Sequence, residues 1–249
     1  MGNLFRQYWI PVLTSELLNE PGGMPRRIRL LGEDLVLFRT RRGQLGLVGA
    51  YCAHRLAPLF FGRIEEDGIR CPYHGWTYAL DGALKGTPDF VGVCNFDRSA
   101  HGLVPIEIGV WEKWVLARVA GTGTALDDFV GSDLKARFLS QDIAGLQWME
   151  RRSYSVDCNW KVFVDNYLDG GYHVPHLHKG LDSVLDYSTY TIENGERFCL
   201  QSSPIVTDGA EARTGAVRTG DRAFYYWICS LTSMLARLRA RACSETSEK

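Results

Sequence analysis

Long hydrophobic runs are missing from this 249-residue sequence: none approaches the roughly 20 apolar residues that a membrane-spanning helix needs. The opening stretch, MGNLFRQYWIPVLTSELL, lacks a basic segment followed by a sustained apolar core and a small-residue cleavage site, so no secretory signal is read there and a cytoplasmic location is expected. An excess of charge of either sign is missing as well. The 28 Lys and Arg nearly balance 29 Asp and Glu, which gives no electrostatic case for nucleic acid or an acidic membrane surface as a partner. Internal repeats and low-complexity tracts are absent. Seven cysteines at irregular spacing leave one unpaired, and point to thiols or metal ligands rather than a disulfide framework. With 45% hydrophobic residues, the chain can bury one large core or two modest ones.

Short β-rich runs separated by turn signals fill Arg26 to Ala50, and predict a small antiparallel sheet. Strand signals continue at Ile69 to Cys71, Trp76 to Ala79 and Val104 to Ile108, and no long helix fits before about Ala125. TALDDFVGSDLKARFLS then has helical character with acidic residues near its start. The expected domains are 1–118 and 119–249, with 231–249 an atypical tail. Beyond the boundary, Trp148 to Val156 reads as a strand. NWKVFVDNYLDGG spaces Trp160, Phe163, Val164, Tyr167 and Leu168 as one helix face, capped by Asn159 and ended by Gly170-Gly171. Tyr187 to Ile192 and Arg197 to Ser202 flank the hairpin signal Asn194-Gly195, Ala223 to Ser230 is another strand, and Gly209 to Gly220 is a loop.

Cys52-Ala-His54 and Cys71-Pro-Tyr-His74 form a C-x-H…C-x-x-H pair of loops, each offering one thiolate and one imidazole. Zinc accepts the same four side chains. Its sites usually place two or more residues within the first pair, whereas a two-iron centre held by two cysteines and two histidines suits the single residue here. The flanks CAHRLAPLFFG and CPYHGWTYALDG closely resemble Rieske domains, in Arg55, Pro58, Pro72, Gly75 and Trp76 as well as the ligands. One departure stands out: Leu56 occupies a position where the family usually has glycine. If positive φ is required there, leucine strains the loop by about 1 to 2 kcal/mol and lowers cluster occupancy.

Asn159 to Leu181 resembles the iron-binding segment of the Rieske non-haem iron oxygenases, alpha (oxygenase) subunit, and the resemblance runs from about Leu4 to Tyr226. The first half is most similar to phthalate-dioxygenase-type enzymes and the second to choline monooxygenase. The resemblance implies an α+β fold: an N-terminal all-β Rieske [2Fe-2S] domain, then a partial α+β helix-grip catalytic domain with an antiparallel sheet. It implies a mononuclear Fe(II) held by His173 and His178 together with a distant aspartate. Asp169 would link this iron to the cluster of a neighbouring subunit, with Asp165 as fallback. Asn166, about two helical turns before His173, is read from spacing as facing the same pocket. His176 and His101 read as ordinary histidines.

The family's distant aspartate comes late in the catalytic domain, which this sequence stops short of, and CSLTSMLARLRARACSETSEK reads as a foreign tail. A truncated or frame-shifted oxygenase that keeps its cluster but holds mononuclear iron weakly is therefore expected. A local substitute such as Asp182, Asp186 or Asp208 is the alternative. The implied activity is O2-dependent hydroxylation of a small organic substrate, an aromatic ring or a quaternary ammonium compound caged by aromatic residues such as Tyr187 and Tyr190. Electrons would come from NAD(P)H through a separate reductase or ferredoxin, in a homotrimer. An electron-transfer protein of Rieske ferredoxin type and a zinc-stabilised binding module are the competing readings.

Overall fold

The computed structural model describes residues 2–18, 20–121, 123–139, 145–147, 149–150, 153–183, 185–205, 222–228 and 234–238. The chain divides into two compact units, Met1–Met149 and Glu150–Lys249.

The first unit opens with a short helix α1 (Gly2–Phe5) and is otherwise built from antiparallel strands. β1 (Ile10–Thr14), β9 (Glu107–Trp111) and β10 (Trp114–Arg118) make one sheet in the order β1-β10-β9. β2 (Arg26–Leu30), β3 (Glu33–Arg39) and β4 (Leu45–Gly49) make a second. β5 (Arg63–Ile64), β6 (Gly68–Arg70), β7 (Thr77–Ala79) and β8 (Leu84–Gly86) make a third. The expected sheet between Arg26 and Ala50 is present. The β2–β3 turn is Leu31-Gly32, both at positive φ, the geometry that follows the right-handed twist of the paired strands. The strand expected at Val104 to Ile108 starts later, because Pro105 makes only an isolated bridge to Val48 and regular pairing begins at Glu107.

β3 explains why two cores exist. In Leu35-Val36-Leu37-Phe38, successive side chains point to opposite faces. Leu35 and Leu37 join Leu30, Leu47, Ile106 and Val115 in one cluster, whereas Val36 and Phe38 join Ile69, Trp76, Tyr78 and the two thiols Cys52 and Cys71 in the other. Each such fully buried side chain contributes about 1.5 to 3 kcal/mol. The candidate cluster loops therefore grow out of a packed core.

Helices α2 (Leu126–Val130) and α3 (Ser132–Leu139) follow, broken by Gly131 at φ 75. The segment read as helical thus forms two helices. Phe138 packs its ring 4.6 Å from that of Trp111 in β9, so these helices lie with the first unit, past the 118/119 boundary read from sequence.

At the junction of the units, Met149, Glu150 and residues 153–156 belong to no strand, contrary to the reading of Trp148 to Val156, whose other residues lie outside the described ones. Helix α4 (Trp160–Leu168) begins and ends as expected: Asn159 Oδ1 accepts from the Lys161 N–H at 3.0 Å, and Gly170 and Gly171 leave the helix at φ 81 and 69. α5 (Val174–Leu177) and α6 (Lys179–Asp182) follow. β11 (Thr191–Asn194), β12 (Phe198–Pro204), β13 (Arg222–Ile228) and β14 (Met234–Leu238) form one antiparallel sheet in chain order. The hairpin at Asn194-Gly195 is present, with its first strand starting at Thr191 after a turn of 3-10 helix at Tyr187–Thr189. β14 takes part of the stretch read as a foreign tail and pairs it with β13. Gly209 to Gly220 and Asp208 lie outside the described residues.

Candidate metal centres

The two ligand loops of the first unit close in the same way. Cys52 N–H donates to Ala57 O and Leu56 N–H to Cys52 O, both at 2.9 Å. Cys71 N–H donates to Trp76 O at 2.8 Å and Gly75 N–H to Cys71 O at 3.2 Å. The loops superpose by these bonds, which places Leu56 opposite Gly75. Both have left-handed backbone, Leu56 at φ 54 and Gly75 at φ 75. The positive φ expected at Leu56 is present, and its side chain projects into solvent at 72% exposure, where it recovers little packing. Leu56→Gly is expected to raise stability by about 1 kcal/mol, the left-handed strain less glycine's added chain entropy. Denaturant unfolding of the purified protein measures this, and an unchanged or lower midpoint would show the loop to be unstrained.

Cys52 and Cys71 are buried side by side, within hydrogen-bond reach of each other, and form no disulfide. The His54 and His74 ring centroids are 4.7 Å apart. The Tyr78 hydroxyl sits 3.2 Å from Cys52 Sγ and accepts from the Ala53 N–H at 3.0 Å. Burial pushes the Cys71 thiol up, and Cys52 adds to this, while the N–H groups of Tyr73 and His74 aimed at its sulfur favour thiolate. Burial, then the neighbouring His74 and Arg55, lower the pKa of His54. Trp76 stacks on that ring at 4.8 Å and 9°.

The decisive atom is His54 Nδ1, which is buried and has no hydrogen-bond partner. Such an atom is costly unless something binds it. Two buried sulfurs, a half-buried imidazole whose Nδ1 is buried and orphaned, and an adjacent second imidazole fit a [2Fe-2S] cluster with two protein ligands per iron.

In the second unit, His173 and His178 have ring centroids 5.0 Å apart. His173 Nδ1 donates to Asp169 Oδ2 at 2.7 Å, and Asp169 Oδ1 accepts from the Gly171 N–H at 2.9 Å. A carboxylate on Nδ1 fixes the tautomer and leaves Nε2 as the ligating atom. These residues fit two positions of a mononuclear iron. Among the described residues, no three His, Cys, Asp or Glu side chains converge on one ion. Asp182 therefore does not complete the pair, and Asp186 is occupied in accepting from Ser188 and Thr189, with the Ser188 hydroxyl foremost in holding its carboxyl below the usual range. Asn166 and Asp165 are exposed on α4, with no hydrogen bond to either histidine. His176 is exposed against Tyr172, and His101 accompanies Trp76 without touching the cluster ligands.

A feature the sequence reading passed over is Gln201, buried in β12. Its amide donates from Nε2 to Tyr167 O at 2.7 Å, and its Oε1 accepts from the Tyr190 hydroxyl. The signal was a lone amide in the apolar strand FCLQSSP.

An antiparallel β unit holding a two-loop Cys2His2 site, followed by an α+β unit with a carboxylate-braced histidine pair, defines the oxygenase class of Rieske proteins. Family comparisons agree: residues 8–97 match the Rieske [2Fe-2S] domain, and residues 143–224 match the ring hydroxylating alpha subunit (catalytic domain). The chain thus joins a Rieske [2Fe-2S] domain to a stretch of the catalytic domain of ring hydroxylating alpha subunits. It is 36% identical over 214 residues to the chloroplastic choline monooxygenase of Arabidopsis thaliana, covering 80% of this chain and 49% of that protein. It is 50% identical over 181 residues to the 3-chlorobenzoate-3,4-dioxygenase oxygenase subunit of Comamonas testosteroni, covering 72% of this chain and 39% of that one. The chain thus spans about half the length, or less, of these curated relatives. A solved quaternary ammonium Rieske monooxygenase, CntA, has the same fold with TM-score 0.72 at 24% identity, covering 90% of this chain and 60% of the other.

Proposed function

We propose that this chain is the oxygenase component of a system that hydroxylates a small organic substrate with O2. The observation that carries the reading is the 2.7 Å bond from His173 Nδ1 to Asp169, which turns Nε2 into a ligand beside His178. A [2Fe-2S] cluster at Cys52, His54, Cys71 and His74 supplies one-electron transfer, and Fe(II) at His173 and His178 supplies dioxygen activation. Within this scheme Asp169 holds the His173 ring and extends a carboxylate toward an incoming cluster ligand of a second copy. His74, exposed at the loop tip, is the matching ligand. A homotrimer with electrons from NAD(P)H through a reductase or ferredoxin belongs to the same proposal. A cytoplasmic location is supported by the free thiols of Cys52, Cys71, Cys94, Cys158 and Cys199.

The relatives named for choline, 3-chlorobenzoate and quaternary ammonium compounds frame the substrate as an aromatic acid or a quaternary ammonium. Tyr187 and Tyr190 pack 5.2 Å apart, but their hydroxyls already brace Gly170 O and Gln201, which weakens them as a cation cage. Oxygen uptake with a surrogate reductase over choline, glycine betaine, carnitine and simple aromatic acids discriminates the classes.

A second reading, an electron-transfer protein of ferredoxin type, is favoured by the lack of a third converging ligand among the described residues. His173→Ala separates the two. In the oxygenase it lowers turnover more than about 100-fold, beyond the usual loss on removing an outer partner of a ligand, and leaves the cluster spectrum intact. Cluster reduction without substrate-dependent oxygen uptake in the unaltered protein would overturn the oxygenase reading.

A further inference from the structure

The turn between α4 and His173 is fastened to the sheet by side chains that the metal chemistry does not use. Helix α4 ends at Leu168, so the Tyr167 carbonyl is among those its own backbone leaves unbonded. Gln201 Nε2 takes it at 2.7 Å. Three residues later, Gly170 O accepts from the Tyr187 hydroxyl at 3.3 Å. Gly171 lies against the Tyr190 ring so closely that a Cβ there would come within 3.1 Å of Tyr190 Cζ and Oη. The Tyr190 hydroxyl is in turn held by Gln201 Oε1. One buried amide thus grips the turn twice, directly at Tyr167 and through Tyr190 at Gly171. Between those two points stands Asp169, bonded to both the Gly171 N–H and His173 Nδ1.

We propose that Gln201, acting with Tyr190, is a positioning residue for the Asp169–His173 pair. The inference rests on the reading of His173 as a metal ligand. The amide does both jobs at once, donating to the Tyr167 carbonyl and accepting from the Tyr190 hydroxyl. Glutamate would present a carboxylate to the Tyr167 carbonyl, and methionine would satisfy neither. Losing the grip lets the turn rotate, so that Asp169 no longer fixes the tautomer and direction of the His173 ring.

Two readouts on the oxidised full chain test this. Long-range proton–nitrogen NMR reports which His173 nitrogen carries the proton, and Co(II) titration followed by low-temperature EPR reports affinity and ligand geometry at the histidine pair. In the unaltered protein the proton is on Nδ1, and His173→Ala abolishes the Co(II) signal. Gln201→Met is expected to mix the tautomers, to weaken Co(II) at least about 10-fold, the usual cost of losing an outer support of a ligand, and to alter the EPR line shape. Tyr190→Phe, which keeps the ring and removes one hydroxyl, shifts the same readouts in the same direction with the circular dichroism unchanged, so misfolding does not imitate the result. Gln201→Glu rescues less than half of the loss. Unchanged tautomer and Co(II) affinity in both Gln201→Met and Tyr190→Phe would overturn the proposal and leave the metal reading standing. Co(II) binding indifferent to His173→Ala would overturn the metal reading and the proposal together.

Discussion

Cys71→Ser should give a protein with no red-brown absorption and almost no iron or acid-labile sulfide. The thiol of Cys71 is buried, and the N–H groups of Tyr73 and His74 are directed at its sulfur. Serine keeps the shape but does not ionise near neutral pH, so the anionic ligand is lost, and oxygen is a poor substitute for sulfur toward an iron–sulfur cluster. Without the cluster, the Cys52 thiol and the orphaned His54 Nδ1 stay buried without the partner they are shaped for. Because cluster binding contributes to folding, the first unit should also melt at lower temperature. Retention of two irons per chain in Cys71→Ser would refute the assignment. Zinc in the unaltered protein, without visible absorption, would replace it by the zinc-stabilised reading.

Gly68→Ala is expected to be the most destabilising single-methyl addition in the first unit, at or above the upper end of the ~1 to 3 kcal/mol cost of overpacking. Gly68 pairs with Ala79 across β6 and β7, and a Cβ built there would lie 1.9 Å from the Tyr78 carbonyl oxygen. Backbone must move, and what moves is the strand that presents the Tyr78 hydroxyl to Cys52 Sγ. The same substitution should therefore reduce cluster content. Denaturant unfolding and iron analysis on one preparation check both effects. Full stability with full iron content would mean that β6 and β7 separate at no cost.

How much of this was legible in the sequence depended on how far apart the interacting residues lie. The Cys-x-His and Cys-x-x-His loops and the question of positive φ at Leu56 are local patterns, each set within one loop, and both were legible. The same holds for α4, whose Asn159 cap and Gly170-Gly171 exit lie within a dozen residues. The Asp169–His173 bond spans one turn of chain, and Asp169 was singled out there from the resemblance, as a link between irons. Gln201 was missed because its partners are a carbonyl 34 residues back and a hydroxyl 11 back, neither announced by a side-chain pattern. The helical character of the segment after Gly123 was legible, whereas its division at Gly131 was not read. Asn166 was assigned to the metal pocket by helical spacing alone, and spacing along a helix does not say where the next turn carries the histidine.

The paired loops at Cys52 and Cys71 carry one further consequence. They close with the same backbone bonds, yet histidine stands two residues after the first cysteine and three after the second. That single inserted position separates the two imidazoles in environment: His54 lies under Trp76 with Nδ1 sealed, while His74 faces solvent. A cluster held at these four side chains would therefore be polar in the sense of a terminal, insulated on one side and bare on the other. A group approaching these loops from outside would meet His74 and not His54, and the spacing of one loop sets that difference.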